Sequence, residues 1–238
     1  ILVIGEPVEG MESFAAFSAL PRSHLDAALA ERAAGVCPED EALMMYTSGS
    51  TGHPKGVIHT HRSITHSAQT EVGQFGLSPG DRMLVHFPIN HVAADVIIGL
   101  TAIYAGATLV SMERFDPDES LRVVERERIT LLGQIPAMYL LQMQRPAFRE
   151  TDFSAVKLFV WSGASASRPL VEALAAIARR TGAQLRNAFG MTETVTHAST
   201  AAPYQHIPPG SLGKPTPGYE FLVVDQDTGE VLDDGRVG

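Results

Sequence analysis

The amino-acid sequence predicts an α/β fold: a parallel sheet flanked by helices, followed by the start of a small β subdomain. Three observations carry this. From about residue 41 onward, short apolar runs alternate with helical patterns, which is the signature of strand–helix–strand crossovers. Each apolar run is bounded by turn-forming residues. After about Ala198 the composition changes, with Pro203, Pro208, Pro209, Pro215 and Pro217 interleaved with Gly210, Gly213 and Gly218. These three regimes divide the chain into 1–40, the end of a preceding part of the same domain; 41–198, the α/β region; and 199–238, a β subdomain that is only beginning.

The predicted strands of the α/β region are Leu43–Thr47, Met83–Phe87, Thr108–Met112, Leu131–Gln134, Leu158–Trp161 and Gln184–Ala188. Helices fall between them. Asp116-Pro117 opens one with a capping carboxylate and a first-turn proline. Ser167 and Pro169 open another, with Leu170, Leu174 and Ile177 on its apolar face and Gly182 at its end. The apolar stretch Val92–Val110 is broken by Asp95, Gly99 and Gly106, and reads as a buried helix followed by a strand, not as a transmembrane segment. In the last region, Phe221–Asp225, the turn Asp227-Thr-Gly229 and Glu230–Leu232 read as a hairpin.

Composition narrows the function. The 238 residues carry 18 Lys and Arg against 27 Asp and Glu, a formal charge of −9, which disfavours nucleic acid or an anionic membrane as partner. One cysteine, Cys37, allows no intrachain disulfide and suits a reducing cytoplasm. Ile1-Leu-Val-Ile4 is too short for a signal peptide. His53, His59, His61 and His66 match no zinc spacing.

The strongest motif is Tyr46-Thr-Ser-Gly-Ser-Thr-Gly-His-Pro-Lys-Gly-Val57. An apolar strand runs into small and hydroxylated residues, then Pro-Lys-Gly, then a helical pattern. Glycines let the backbone approach an anion, hydroxyls and amides donate to it, and Lys55 adds positive charge. Pro54 and Gly56 exclude a Walker sequence. Three further segments stand in order behind it: Phe87-Pro-Ile-Asn-His-Val-Ala-Ala94, Ser162-Gly-Ala-Ser165 and Asn187-Ala-Phe-Gly-Met-Thr-Glu-Thr194.

Together these motifs resemble those of the adenylate-forming (AMP-binding) superfamily, and most closely acyl-CoA synthetases. The resemblance covers roughly residues 41–238 and implies part of the large domain of such an enzyme, with the first strands of its small β barrel. It implies ATP, Mg²⁺ and coenzyme A as co-substrate, with a small-molecule carboxylic acid as the group activated. Thr47, Ser48, Gly49, Ser50, Thr51, Gly52 and Lys55 would cradle the phosphates. Asn187, Ala188, Phe189, Gly190 and Met191 would form the adenine segment, where Phe189 replaces the usual tyrosine, and Gly163, Ala164 and Ser165 would pack on the opposite side. Lys55, Thr192 and Glu193 would carry the chemistry, Thr192 at the α-phosphate; Glu193 with Thr47 would hold the metal. His91, Val92 and Trp161 would line the acid pocket.

Two other readings stay open on these residues: an adenylation domain that loads a carrier-protein thiol, and a non-catalytic ATP-binding protein. A kinase or hydrolase would need a Walker lysine or an aspartate base in the right setting. In the superfamily the aspartate that holds the ribose and a C-terminal domain bearing a catalytic lysine come later than Gly238. The chain by itself is therefore expected to lack acyl-CoA synthetase activity. The oligomeric state has no signal in the sequence.

Overall fold

The computed structural model describes residues 2–3, 9, 12–20, 25–48, 52–201 and 211–233. The chain divides into two compact units, Ile1–Asp40 and Glu41–Gly238. The first holds a two-residue parallel pairing of β1 (Leu2–Val3) with β2 (Glu12–Ser13), then α1 (Phe14–Ser18) and α2 (Asp26–Ala34).

The second unit opens with β3 (Glu41–Thr47) and β4 (Lys55–Thr60), which pair antiparallel as a sheet of their own. This corrects the reading of the hydroxyl-rich motif. Its chain returns as a strand and only then enters α3 (His61–Phe75), so the motif is the bend of a hairpin and not a strand-to-helix turn. Thr60 sets the boundary, its side chain accepting from the Ser63 N–H at 3.2 Å. Gly76, at φ 64°, ends the helix in the left-handed conformation that glycine adopts without strain.

Among the described residues the main sheet has seven strands. β5 (Arg82–Val85), β6 (Thr108–Ser111), β7 (Leu131–Gln134), β8 (Leu158–Trp161) and β9 (Gln184–Gly190) are parallel, in the order β9-β8-β7-β5-β6. Two further strands, β10 (His197–Thr200) and β11 (Lys214–Pro215), extend the β9 edge antiparallel, so the sheet is mixed. The turn between β9 and β10 is too short for the crossover that a parallel neighbour needs. A π-helix (Ala93–Leu100) running into α4 (Thr101–Ala105) joins β5 to β6. The crossovers on the other face are α5 (Pro117–Arg126), α6 (Pro136–Met143), α7 (Ala147–Glu150) and α8 (Arg168–Thr181). Asp116 caps α5 by accepting the Glu119 N–H at 2.8 Å, and Gly182 at φ 78° ends α8.

Strand alternation sorts the core into two faces. Leu132, Phe159, Trp161 and Leu185 pack with Leu121, Tyr139 and Leu174 from the helices α5, α6 and α8. Met83, Leu131, Leu158, Val160 and Ala188 pack with Ala94, Ile98 and Ala102 from the π-helix and α4. Beyond β11 the predicted hairpin reduces to one bridge, Val224 with Val231, held by Asp225 N–H to Glu230 O and Leu232 N–H to Val223 O. Phe221 and Leu222 beside it are exposed, so nothing buries a longer pairing.

Candidate active site

The site lies at the carboxyl ends of the parallel strands, where loops of a sheet of this kind converge. In the hairpin, Thr47 pairs with Lys55 across the two strands, and Ser48, Gly52 and Lys55 are exposed. Gly52 has φ 84°, a turn that strains any side chain. Gly49, Ser50 and Thr51 lie outside the described residues.

The hairpin is anchored to the loop that follows β9. His59, on β4 and only 5% exposed, places Nε2 2.7 Å from the Thr192 carbonyl oxygen. From α3, Ser67 donates to the Val195 carbonyl at 3.0 Å. The loop closes on itself through the Thr194 hydroxyl, which accepts the Met191 N–H at 2.9 Å. Val195 takes φ 58°, an uncommon conformation for a β-branched residue, with its side chain buried among Met45, Val92 and Val96. Glu193 is exposed, and among the described residues neither its carboxylate nor the Lys55 ammonium has a hydrogen-bond or ion-pair partner. Both are therefore available to a ligand.

The remaining adenine-segment residues divide. Asn187 directs its amide N–H to Ser211 O at 3.0 Å, and Phe189 is half-buried. Ala188 turns its side chain into the sheet-side core, leaving only its backbone for a ligand. Gly190 is required by packing: a Cβ there would sit 2.3 Å from the Thr196 carbonyl oxygen. Across the sheet edge, Gly163 has φ 80°, with Ala164 and Ser165 exposed beside it.

A narrow cavity of about 30 Å³ opens beside these loops, between the β5–β7–β8 surface and the π-helix. Met83, Phe87, Ala93, Ile97 and Val160 line it, and Gln134, Ser162 and His197 contribute its polar side chains. The three residues assigned to the acid pocket fall elsewhere. Trp161 faces the α5–α6–α8 core, because Val160 holds the cavity side of β8 and neighbours on a strand alternate. His91 is exposed, its Nδ1 accepting the Ala93 N–H at 3.1 Å at the start of the π-helix. Val92 packs against Met45 and Val195. Sequence reasoning missed the residues that do line the cavity, and it missed Glu71. This carboxylate is fully buried on α3 and bonded to His197 Nδ1 at 3.1 Å, Gln74 Nε2 at 2.8 Å and the His197 N–H at 2.9 Å, with the Thr196 hydroxyl as a fourth donor. Burial alone would raise its pKa, but the positive charge of His197 and these donors outweigh it and hold the carboxyl below its usual range.

Magnesium keeps waters and substrate oxygens in its shell and needs few protein ligands, of which a carboxylate is the typical one. Glu193, exposed and without a partner among the described residues, fits that role.

Hairpin and loop are joined by the His59–Thr192 bond, and the apolar cavity opens beside them. Residues 6–238 match the AMP-binding enzyme family, and the chain belongs to it. It is 35% identical over 171 residues to the long-chain-fatty-acid–CoA ligase FadD13 of Mycobacterium tuberculosis, covering 71% of this chain and 33% of that protein. It is 31% identical over 234 residues to the indoleacetate–CoA ligase of Aromatoleum aromaticum, covering 91% and 45%. ATP-bound MatB from Rhodopseudomonas palustris superposes with a TM-score of 0.74 at 27% identity, over 87% of this chain and 42% of that one. The chain thus spans a third to under a half of the length of these proteins.

Proposed function

We propose that the full-length protein is an acyl-CoA synthetase: it joins a carboxylic acid to the α-phosphate of ATP, releases pyrophosphate, and passes the acyl group to coenzyme A. The observation that carries this reading is the convergence of the Lys55 hairpin and the Thr192–Glu193 loop, tied by His59, beside an apolar cavity. In the first step a carboxylate oxygen forms a bond to Pα as the Pα–O bond to the β-phosphate breaks. The carboxylate is already a nucleophile, so no general base is required; positioning and charge neutralisation do the catalysis. Lys55 and the hairpin amides hold the departing pyrophosphate, and Thr192 meets the α-phosphate. Magnesium, when bound by Glu193 and Thr47, supplies neutralisation of the phosphate charge. On this reading residues 41–198 form the nucleotide-binding part and 199–238 begin the β subdomain, in a protein of the cytoplasm. Among the described residues no helix is long and apolar enough to cross a membrane.

The acid lacks an α-amino group. An ammonium entering an apolar pocket needs a carboxylate partner, and none of the residues lining the cavity is acidic; Asp95 is not at its wall. The test is ATP–pyrophosphate exchange by the full-length protein with a panel of fatty, aryl and α-amino acids. Exchange with fatty or aryl acids supports the reading. Exchange confined to α-amino acids, or none at all, sinks it.

A further inference from the structure

We infer that Glu71, His197 and Ser162 form a hydrogen-bonded relay that orients the reacting carboxylate at the mouth of the apolar cavity, Ser162 touching the substrate and the other two acting as positioning residues. The inference rests on the function proposed above and adds residues to it.

Three separate segments meet to build the relay. Ser162 follows β8, His197 opens β10, and Glu71 lies on the inner face of α3. Ser162 Oγ is 3.3 Å from His197 Nε2, and His197 Nδ1 is 3.1 Å from one Glu71 carboxylate oxygen and 3.2 Å from the other. Glu71 has no exposed surface and the His197 side chain is 7% exposed, so the pair is desolvated and its geometry is held by packing. Phase-locking of the ring is completed by Phe75, edge-on to the imidazole at 5.9 Å between centroids. A buried carboxylate with four donors is an anion, and an anion beside Nδ1 requires a proton on that nitrogen.

The consequence falls on Ser162. As the counter-cation that a buried carboxylate calls for, the imidazole carries a proton on both nitrogens in this proposal, so Nε2–H points at Ser162 Oγ, 3.3 Å away, and fills one of its acceptor positions. The hydroxyl proton is then free to donate elsewhere. Around it the wall offers carbon from Val160, Phe87, Ala93 and Ile97 and one amide oxygen, Gln134 Oε1, which has no partner among the described residues; a carboxylate whose apolar tail enters the cavity is the charged acceptor this geometry suits. Ser162 also sits next to the Gly163–Ser165 turn, and His197 lies shortly after Thr192 in the chain. The relay therefore stands between the acid pocket and the residues assigned to the α-phosphate. A surface ion pair would not explain the investment, because burying two charges is costly unless their geometry is used.

The test is pyrophosphate exchange by the full-length protein and its Ser162→Ala, Ser162→Thr and Glu71→Gln variants, with KM for the acid and KM for ATP measured separately. Loss of one charge-assisted hydrogen bond predicts a roughly 10- to 100-fold rise in KM for the acid in Ser162→Ala and Glu71→Gln. KM for ATP stays within about twofold, the resolution at which uniform and selective binding losses separate, and Ser162→Thr, which keeps the hydroxyl, recovers most of the acid affinity. Glu71→Gln disturbs a buried network, so if it does not fold, the two Ser162 variants decide. An unchanged acid KM in Ser162→Ala, or equal rises for acid and ATP, overturns the inference alone. Absence of exchange with every acid in the unsubstituted protein overturns the proposed function and the inference with it.

Discussion

His59 Nε2 and the Thr192 carbonyl oxygen, 133 positions apart in the chain, approach to 2.7 Å and join the β3–β4 hairpin to the loop that follows β9. His59 is buried, and on the function proposed above Thr192 holds its place at the nucleotide only while the hairpin and the loop stay joined. Replacing the imidazole removes the shorter of two bonds to that carbonyl, which keeps only the Val195 N–H at 3.3 Å, at a cost of about 1 kcal/mol.

His59→Ala is therefore expected to weaken ATP binding by roughly tenfold, the equivalent of about 1.4 kcal/mol, with little change in affinity for the acid. Isothermal titration with ATP checks this. Unchanged ATP affinity would show that the hairpin and the loop are held together by other contacts.

His86 sets a pH dependence of stability. It is 2% exposed, both ring nitrogens lack a partner among the described residues, and it lies between the rings of Phe87 and Phe115 at 5.0 and 5.6 Å. Burial lowers its pKa from the ordinary 6.5 to about 4. The unfolded chain takes up a proton as pH falls through 6.5, while the folded protein takes it up only near 4. Stability is thus full above 6.5 and is lost between 6.5 and 4, by about 3 kcal/mol. His86→Phe should flatten that part of the profile in urea unfolding measured from pH 7 to pH 4. A slope identical to that of the unsubstituted protein would place the acid sensitivity elsewhere.

These two histidines mark the limit of what could be read without coordinates. The strands Leu131–Gln134 and Leu158–Trp161 were legible because a strand buried on both faces is a continuous apolar run between turns. β4 was not, because Lys55-Gly-Val-Ile-His-Thr60 has the composition of a helix approach and its strand character comes from pairing with β3. The hydroxyl- and glycine-rich segments could be singled out since their residue types stand out locally. The cavity was not, for its walls come from segments as distant as Phe75 and His197. Glu71 looked like one more polar residue on a helix; only the packing of α3 against β10 turns it inward.

Two glycines are held by close backbone approach. A Cβ on Gly190 would lie 2.3 Å from Thr196 O; on Gly213, which also has φ 87°, it would lie 2.0 Å from Thr200 O. Alanine at either forces the β9–β10–β11 edge apart and is expected to cost about 2–4 kcal/mol, the range of substitutions that break backbone geometry. Gly73→Ala is the control: it lies within α3 with no atom within 4 Å of the added methyl, and helix propensity predicts a gain of about 0.5–1 kcal/mol. Thermal denaturation of the three variants should order them accordingly, and a stable Gly213→Ala would contradict the geometry of this edge.

On the function proposed above, Lys55 and Glu193 divide the handling of charge. Both are exposed, and among the described residues neither side chain has a polar partner, so neither change should disturb folding. On that function a lysine at the hairpin acts on the departing pyrophosphate, where negative charge accumulates as the bond to Pα breaks; removing it should slow the chemical step while leaving adenine binding near its original strength. A carboxylate among phosphates is tolerable only with a cation between them, so removing Glu193 should instead raise the magnesium concentration needed for half-maximal rate. Lys55→Ala is accordingly expected to lower the rate of pyrophosphate exchange by roughly 100-fold, as loss of a transition-state donor does, with the magnesium dependence unchanged. Glu193→Ala should move that dependence upward and recover much of its rate at saturating magnesium. Exchange rates measured across a magnesium titration for both variants make the comparison, and the same defect in each, insensitive to magnesium, would show that the two side chains do not divide the task.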